Sequence, residues 1–217
     1  MALLTDSRLL IDSITHISLS PTQLNEAITE AKSSGKTGLL LKNVLLQEKD
    51  TKNQNNRVYP GHILEREANK YNEKYIQQKS AFGELDHPES STVRLKETSH
   101  MITEIHWEGP KLLGSLNILD TDNGKIAQTI LSAGGQLGIS SRALGSTKKV
   151  NEGEDKESYD EVEEDLEILC WDIVSNPSVL KASFRLHEGL EINTRVRDQI
   201  SKQTTKIVSI VDKILTL

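Results

Sequence analysis

The sequence predicts an α+β fold with a barrel-like sheet, and three observations point that way. Apolar runs of strand length and unequal extent recur along the chain, separated by turn residues. Helical spacing of apolar residues is confined to a few segments. Only eight of the 217 residues are Phe, Trp or Tyr, so the core is built from aliphatic side chains. A chain of this length buries roughly 70% of its unfolded surface, enough to fold without staples. Strands of mixed length with a few helices make an α+β architecture.

The elements follow in order. Ser20-Pro21-Thr22-Gln23 has the form of a capping box with proline at the first helical position. Leu24, Ala27, Ile28 and Ala31 recur at helical spacing behind it, which predicts a helix over 21–33. TGLLLKNVLLQ (37–47) reads as a buried strand and DTKNQNNR (50–57) as an exposed loop. Over 60–80, Ile63, Leu64, Ala68, Tyr71 and Tyr75 fall on one helical stripe. A strand precedes GELDHP (83–88). SHMITEIHW and KLLGSLNIL flank Glu108-Gly109-Pro110, which predicts a hairpin. A helix near 122–133 ends at Gly134-Gly135. QLGISSRAL and LEILCWDIVSNP (166–177) read as strands, the second stopped by Asn176-Pro177. Ile200, Ile207 and Ile214 recur every seven residues with Ile210 and Leu217 between, so 194–217 reads as an amphipathic helix that packs on the body or self-associates.

Charge is unevenly placed. Residues 151–167 hold ten carboxylates and one lysine, while the remainder carries 25 basic and 22 acidic side chains. Such a block predicts a solvated loop. No basic stripe argues for nucleic acid. The start lacks a basic segment followed by a long apolar run, and GLLLKNVLL is broken by Lys42 and too short to span a bilayer. The single cysteine, Cys170, allows no internal disulfide. The expectation is a soluble cytoplasmic protein with no nucleic-acid or membrane partner.

Three places could carry chemistry. Ser140 and Ser141 sit among glycines in GGQLGISSRALGS (134–146), and a serine nucleophile needs both a positioned base and nearby backbone donors. His87 can be read as a solvated loop residue, as a general base, or as a metal ligand with Glu84, Asp86, His100 or His106, although those spacings match no standard zinc pattern. Asp172 lies in a strand that is apolar on both faces, where a carboxylate is costly unless paired. An arginine or a backbone amide would satisfy it, and so would the Nδ1–H of a histidine, as in Ser-His-Asp chemistry. Cys170, mid-strand in an apolar run, reads as inert core.

NNRVYP (55–60), GELDHP (83–88), GISSRALGS (138–146) and DIVSNPS (172–178), in that order around a charged helix, resemble the prohead core proteases of T-even-type bacteriophages. The resemblance covers residues 37–180. It implies a β-barrel surrounded by helices, like the herpesvirus capsid-maturation proteases. It also implies a serine endopeptidase of the phage procapsid in the host cytoplasm that cuts scaffold, core and capsid proteins and itself. On this resemblance Ser140 is the nucleophile, His87 the base and Asp172 the third member, with His100 and His106 as alternatives for the third place. Amides near Ser141 and Arg142 would form the oxyanion hole, and no metal or cofactor is needed. Relatives favour cutting after Glu in Leu/Ile-x-Glu, which here fits Glu30 and Glu188. A site for glutamate needs positive charge, with Arg142, Lys148 and Lys149 as candidates, and the acidic segment could compete for it. The rival class is a catalytically silent scaffold or core assembly protein. The implied organisation is a protease domain over 1–185, with the acidic loop 151–165 inserted, and an amphipathic tail over 186–217 that self-cleavage would remove.

Overall fold

The structure, a computed structural model, describes residues 8–88, 90–151 and 158–175. Among them, β1 (Arg8–Ile17) precedes α1 (Pro21–Ser33), and β2 (Leu39–Glu48) and the short β3 (Arg57–Val58) precede α2 (Gly61–Tyr71). β4 (Phe82–Glu84), β5 (Thr98–Glu108) and β6 (Lys111–Ile118) lead to α3 (Asp122–Ser132). β7 (Leu137–Gly145), β8 (Thr147–Val150), β9 (Tyr159–Val162) and β10 (Glu167–Val174) complete this part. The amphipathic segment expected over 194–217, the domain boundary at 185 and Glu188 lie outside the described residues.

Local signals in the sequence account for the helices. The Ser20 Oγ accepts the Gln23 amide at 3.3 Å while the Gln23 side chain accepts the Ser20 amide at 2.9 Å, closing the capping box of α1. The Thr121 hydroxyl caps α3 by accepting the Gly124 amide at 3.1 Å. α2 continues into a single π-helical turn over Asn72–Ile76. That turn spaces its buried residues five apart, so Ile76 replaces Tyr75 as the inward position after Tyr71.

The strands form three sheets, ordered β1-β7-β10, β2-β6-β5-β4 and β3-β9-β8. The architecture is mixed and mostly strand, as expected, but no sheet among the described residues closes on itself. The expected barrel is therefore three joined sheets. The first two meet where the chain leaves β4: Leu85 bridges Ile173 in parallel, and the Asp86 amide donates to the Ile173 carbonyl at 2.7 Å. Trp171, fully buried, ties them again by donating its indole N–H to the Leu46 carbonyl at 2.8 Å and packing edge-on against Tyr71. Gly83 permits this approach, since a Cβ there would lie 2.2 Å from the Trp171 carbonyl oxygen and 2.3 Å from the His100 ring.

Two elements depart from expectation. Residues 8–17, to which the sequence pattern assigns nothing, form β1 along one edge of β7. The alternation of RLLIDSITHI is interrupted by Asp12, which is fully buried. Its carboxylate is held by the Arg57 guanidinium at 2.7 Å, the Asn55 amide at 2.5 Å and the Tyr59 hydroxyl. The NNRVYP segment is thus the clamp on β1, and part of the loop expected to be exposed turns inward to serve it. The acidic segment, expected to be loop throughout, contributes β9, which pairs parallel with β3 and antiparallel with β8. Lys148 stands opposite Glu161 and Lys149 opposite Asp160, so cross-strand charge pairing lets acidic residues form a strand.

Candidate active site

The site is assembled on β7 and β10. In their antiparallel register Ser140 pairs with Asp172 and Arg142 with Cys170, and directly opposed residues share a face. Ser140, Arg142, Cys170 and Asp172 therefore project to one side, all of them fully buried. Ser141 belongs to the other side, paired with Trp171 and Asp12, and its hydroxyl donates to the Asp12 carbonyl at 3.5 Å. Strand alternation thereby separates the two adjacent serines onto opposite faces.

His87 reaches this face because of the turn before it. Asp86 adopts a left-handed φ of 62°, a conformation aspartate tolerates better than most residues. The chain then carries His87 over β10, where Nδ1 lies 3.1 Å from the Asp172 Oδ2. Burial alone would raise the Asp172 carboxyl pKa, but the His87 hydrogen bond, the Arg142 charge and the Glu84 amide together hold it below the usual carboxylate range. An ionised carboxylate only accepts, so the neutral tautomer of His87 that pairs with it has its proton on Nδ1 and a lone pair on Nε2. That Nε2 is buried and has no hydrogen-bond partner among the described residues.

Arg142 lies beneath the pair. Its Nη2 donates to the Glu84 Oε2 at 2.8 Å and to the Asp172 Oδ1 at 3.3 Å, its Nε lies 3.1 Å from the Asp172 Oδ2, and its Nη1 donates to the Ser90 carbonyl at 2.9 Å. The Glu84 amide in turn donates to the Asp172 Oδ1 at 2.9 Å. Cys170 contacts the guanidinium through Sγ, and burial pushes its thiol pKa well up, so it stays protonated. The sequence left an arginine, a backbone amide or a histidine as alternatives for the partner of Asp172. The structure supplies all three.

The family model described as prohead core protein serine protease matches residues 17–194. The chain belongs to that family. The match begins earlier and ends later than the 37–180 span of the recognisable motifs, so Glu30 and Glu188 fall inside it. Over 121 residues the chain is 35% identical to the prohead core protein protease of Enterobacteria phage T4, covering 54% of this chain and 56% of that relative, little more than half of its length. The fold is similar to the solved structure of the bacteriophage T4 capsid assembly protease, with a TM-score of 0.64 at 26% identity over 80% of this chain and all of the other.

Within this prohead protease family member the remaining candidates are engaged otherwise than the sequence suggests. Lys148 on β8 is 2.8 Å from Glu161. Arg142 is buried and committed to two carboxylates, which leaves it unfit as an open subsite for glutamate. The amides of Ser141 and Arg142, expected as oxyanion donors, belong to a strand paired on both sides. The residues considered as metal ligands do not converge: Glu84 holds Arg142, His106 is exposed on β5, and His100 is turned elsewhere. Glu84 entered the sequence reading only as a possible metal ligand. Its central place was legible solely as part of the GELDHP motif.

His100 Nε2 lies 3.0 Å from the Trp171 carbonyl and Nδ1 lies 2.9 Å from the Ser99 hydroxyl. Burial lowers its pKa to about 4, against the smaller opposing pull of Asp172 and the carbonyl. An unfolded histidine takes up its proton near pH 6.5, so the unfolded chain gains protons first as pH falls. Stability should therefore drop between pH 6.5 and 4, by about 3 kcal/mol in all. Asp172, whose folded pKa lies below the usual carboxylate value, adds a loss of the same sign only in the lowest part of that window, below about pH 5. Denaturant melts at pH 7 and pH 4.5 should show this loss, and His100→Gln should flatten it.

Proposed function

We propose that this chain is a serine endopeptidase of the bacteriophage prohead, in which Ser140 is the nucleophile, His87 the general base and Asp172 the residue that orients it. Its substrates are the scaffold, core and capsid proteins enclosed with it. The observation that carries this reading is the His87–Asp172 hydrogen bond on the face that Ser140 shares. Family membership and the order of the sequence motifs support it. His87 Nε2 takes the Ser140 proton as the oxygen attacks the scissile carbonyl, then returns it to the leaving amine. Asp172 keeps the imidazole in the productive tautomer and stabilises the imidazolium. Each backbone donor to the oxyanion is worth about 3–4 kcal/mol in such sites. Ser141 and Arg142 can supply donors only if the ladder opens locally. Bulges flank this stretch at Ser13/Thr15 and at Ile168/Cys170, where pairing is already interrupted.

The finer reading is cleavage after Glu in Leu/Ile-x-Glu, including self-cleavage. Glu30 lies inside α1, and Ala31 after it is fully buried, so cutting there requires the helix to unwind. Processing after Glu188 would release 189–217, which is nearly all of the tail over 186–217, and leave the catalytic domain over 1–185 whole. A second reading, a catalytically silent core assembly protein, draws on the complete burial of Ser140, which substrate cannot reach without a movement. The deciding experiment incubates the purified chain with prohead core proteins and with a Leu-x-Glu peptide, with a fluorophosphonate probe in a parallel sample. Products ending in Glu together with a probe adduct on Ser140 are expected. Intact substrates and an unlabelled Ser140 would favour the silent protein.

A further inference from the structure

The buried cluster behind His87 holds a carboxylate that the mechanism above does not use. Glu84 is fully buried, and each of its carboxylate oxygens is engaged: Oε2 by Arg142 Nη2 at 2.8 Å and Oε1 by the Arg94 amide at 2.5 Å. Burying a carboxylate costs several kcal/mol unless it is compensated. A neutral glutamine could receive the Arg94 amide as well, so the charge itself calls for an explanation.

Competition for Asp172 supplies one. The Asp172 Oδ2 lies 3.1 Å both from His87 Nδ1 and from Arg142 Nε, so histidine and arginine share one oxygen. Arg142 alone with Asp172 would form a neutral buried pair, leaving His87 beside no net charge. With Glu84 ionised, the three groups carry a net single negative charge, and a proton arriving on His87 completes its neutralisation. We infer that Glu84 is a positioning residue for the His87–Asp172 pair: its carboxylate holds Arg142 and cancels its charge, which leaves the charge of Asp172 to stabilise the imidazolium. This rests on the proposed role of His87 as base.

The other groups around His87 do not replace Glu84. Cys170 on β10 is a neutral thiol and His100 on β5 is neutral near pH 7, both because of burial. Arg94 lies 3.6 Å from the Glu84 Oε1 with its side chain more than half exposed, where solvent screens it. Asp86, next to His87 in the chain, is exposed and accepts the Ser175 amide at 3.4 Å. None of these changes charge when Glu84 is replaced.

The test is an NMR titration of the His87 ring in the full chain carrying Ser140→Ala, which reads the imidazole whether or not the protein is a peptidase. Adding Glu84→Gln should move the His87 midpoint down by about one pH unit, the size expected for losing one nearby buried charge. Glu84→Asp, which keeps the charge, should recover most of that shift. A midpoint that stays or rises in Glu84→Gln overturns the inference. If Glu84→Gln does not fold, the double variant Glu84→Gln/Arg142→Met removes both buried charges and decides the matter. Its midpoint should match the Ser140→Ala parent, and a fall of a full unit overturns the inference. With Ser140 restored, the acid limb of kcat/KM should follow the midpoint to lower pH while KM holds. Absence of any turnover alongside the shifted midpoint would count against the peptidase reading and not against the charge balance.

Discussion

Ser140→Ala should abolish peptide hydrolysis, a loss of about six orders of magnitude in kcat if it behaves like other serine nucleophiles, whereas Ser141→Ala should remain within about tenfold of the parent. The contrast follows from strand alternation. Adjacent residues of β7 point to opposite sides, and only Ser140 shares a face with Asp172, the carboxylate that holds His87. Ser141 faces the Asp12 clamp and can contribute through its backbone alone. A serine hydroxyl with no base in reach is a poor nucleophile, so an exchange of roles between the two is not available. Time-resolved intact-mass measurements on the three proteins, each with a Leu-x-Glu peptide, check the prediction, with circular dichroism to confirm folding. Retained cleavage in Ser140→Ala together with silence in Ser141→Ala would remove Ser140 from the mechanism.

Much of this arrangement was legible because local rules govern it. The capping box at Ser20, the turn at Glu108-Gly109-Pro110 and the stop at Gly134 all depend on chemistry within a few residues. The structure follows each of them. A carboxylate in the middle of an apolar strand, Asp172, announced that a partner must exist, since an unpaired buried charge is too costly to persist. What could not be read was the identity of non-local partners. β1 is held by Asp12, whose compensation arrives from Asn55, Arg57 and Tyr59 more than forty positions away. On the sequence alone Asp12 merely spoils an alternating pattern, and β1 stays invisible. The acidic segment misleads for the same reason. Its net charge predicts solvation, but the cations that let β9 pair lie on β8.

The same distinction separates two kinds of motif residue. His87 and Ser140 stand out because histidine and serine are residue types that serve as base and nucleophile, so the sequence marks them before their partners are known. Glu84 and Arg142 acquire a role only from each other and from Asp172, across three strands that local sequence does not connect. A reading that weighs residues singly assigns Arg142 to an open substrate pocket. Burial against two carboxylates turns it into a structural counter-charge. The GELDHP segment combines both kinds, with Gly83 permitting close approach, Glu84 engaging Arg142, Asp86 turning the chain and His87 meeting Asp172.

On the proposed Ser140-His87-Asp172 mechanism, Asp172→Asn should leave the fold in place and lower kcat by about four orders of magnitude, as wrong-tautomer variants of serine-protease triads do. Every neighbour of this carboxylate is a donor. Oδ1 receives the Glu84 amide, Arg142 Nη2 and, at 3.4 Å, the Cys170 thiol, and Oδ2 faces His87 Nδ1 and Arg142 Nε. Asparagine offers one acceptor oxygen and one donating NH2, so either orientation sets the NH2 against donors. The backbone amide of Glu84 and the guanidinium cannot become acceptors, but an imidazole can, by moving its proton. The side-chain NH2 therefore settles toward His87, which then accepts at Nδ1 and carries its proton on Nε2. In that tautomer His87 has no lone pair on Nε2 to receive the serine proton. Single-turnover kinetics on a peptide substrate would measure the loss, with His100→Gln beside it. His100 is bound to the Trp171 carbonyl and the Ser99 hydroxyl, and its removal should cost stability more than rate. A folded Asp172→Asn enzyme within tenfold of the parent, with His100→Gln falling by several orders of magnitude, would move the third catalytic position to His100.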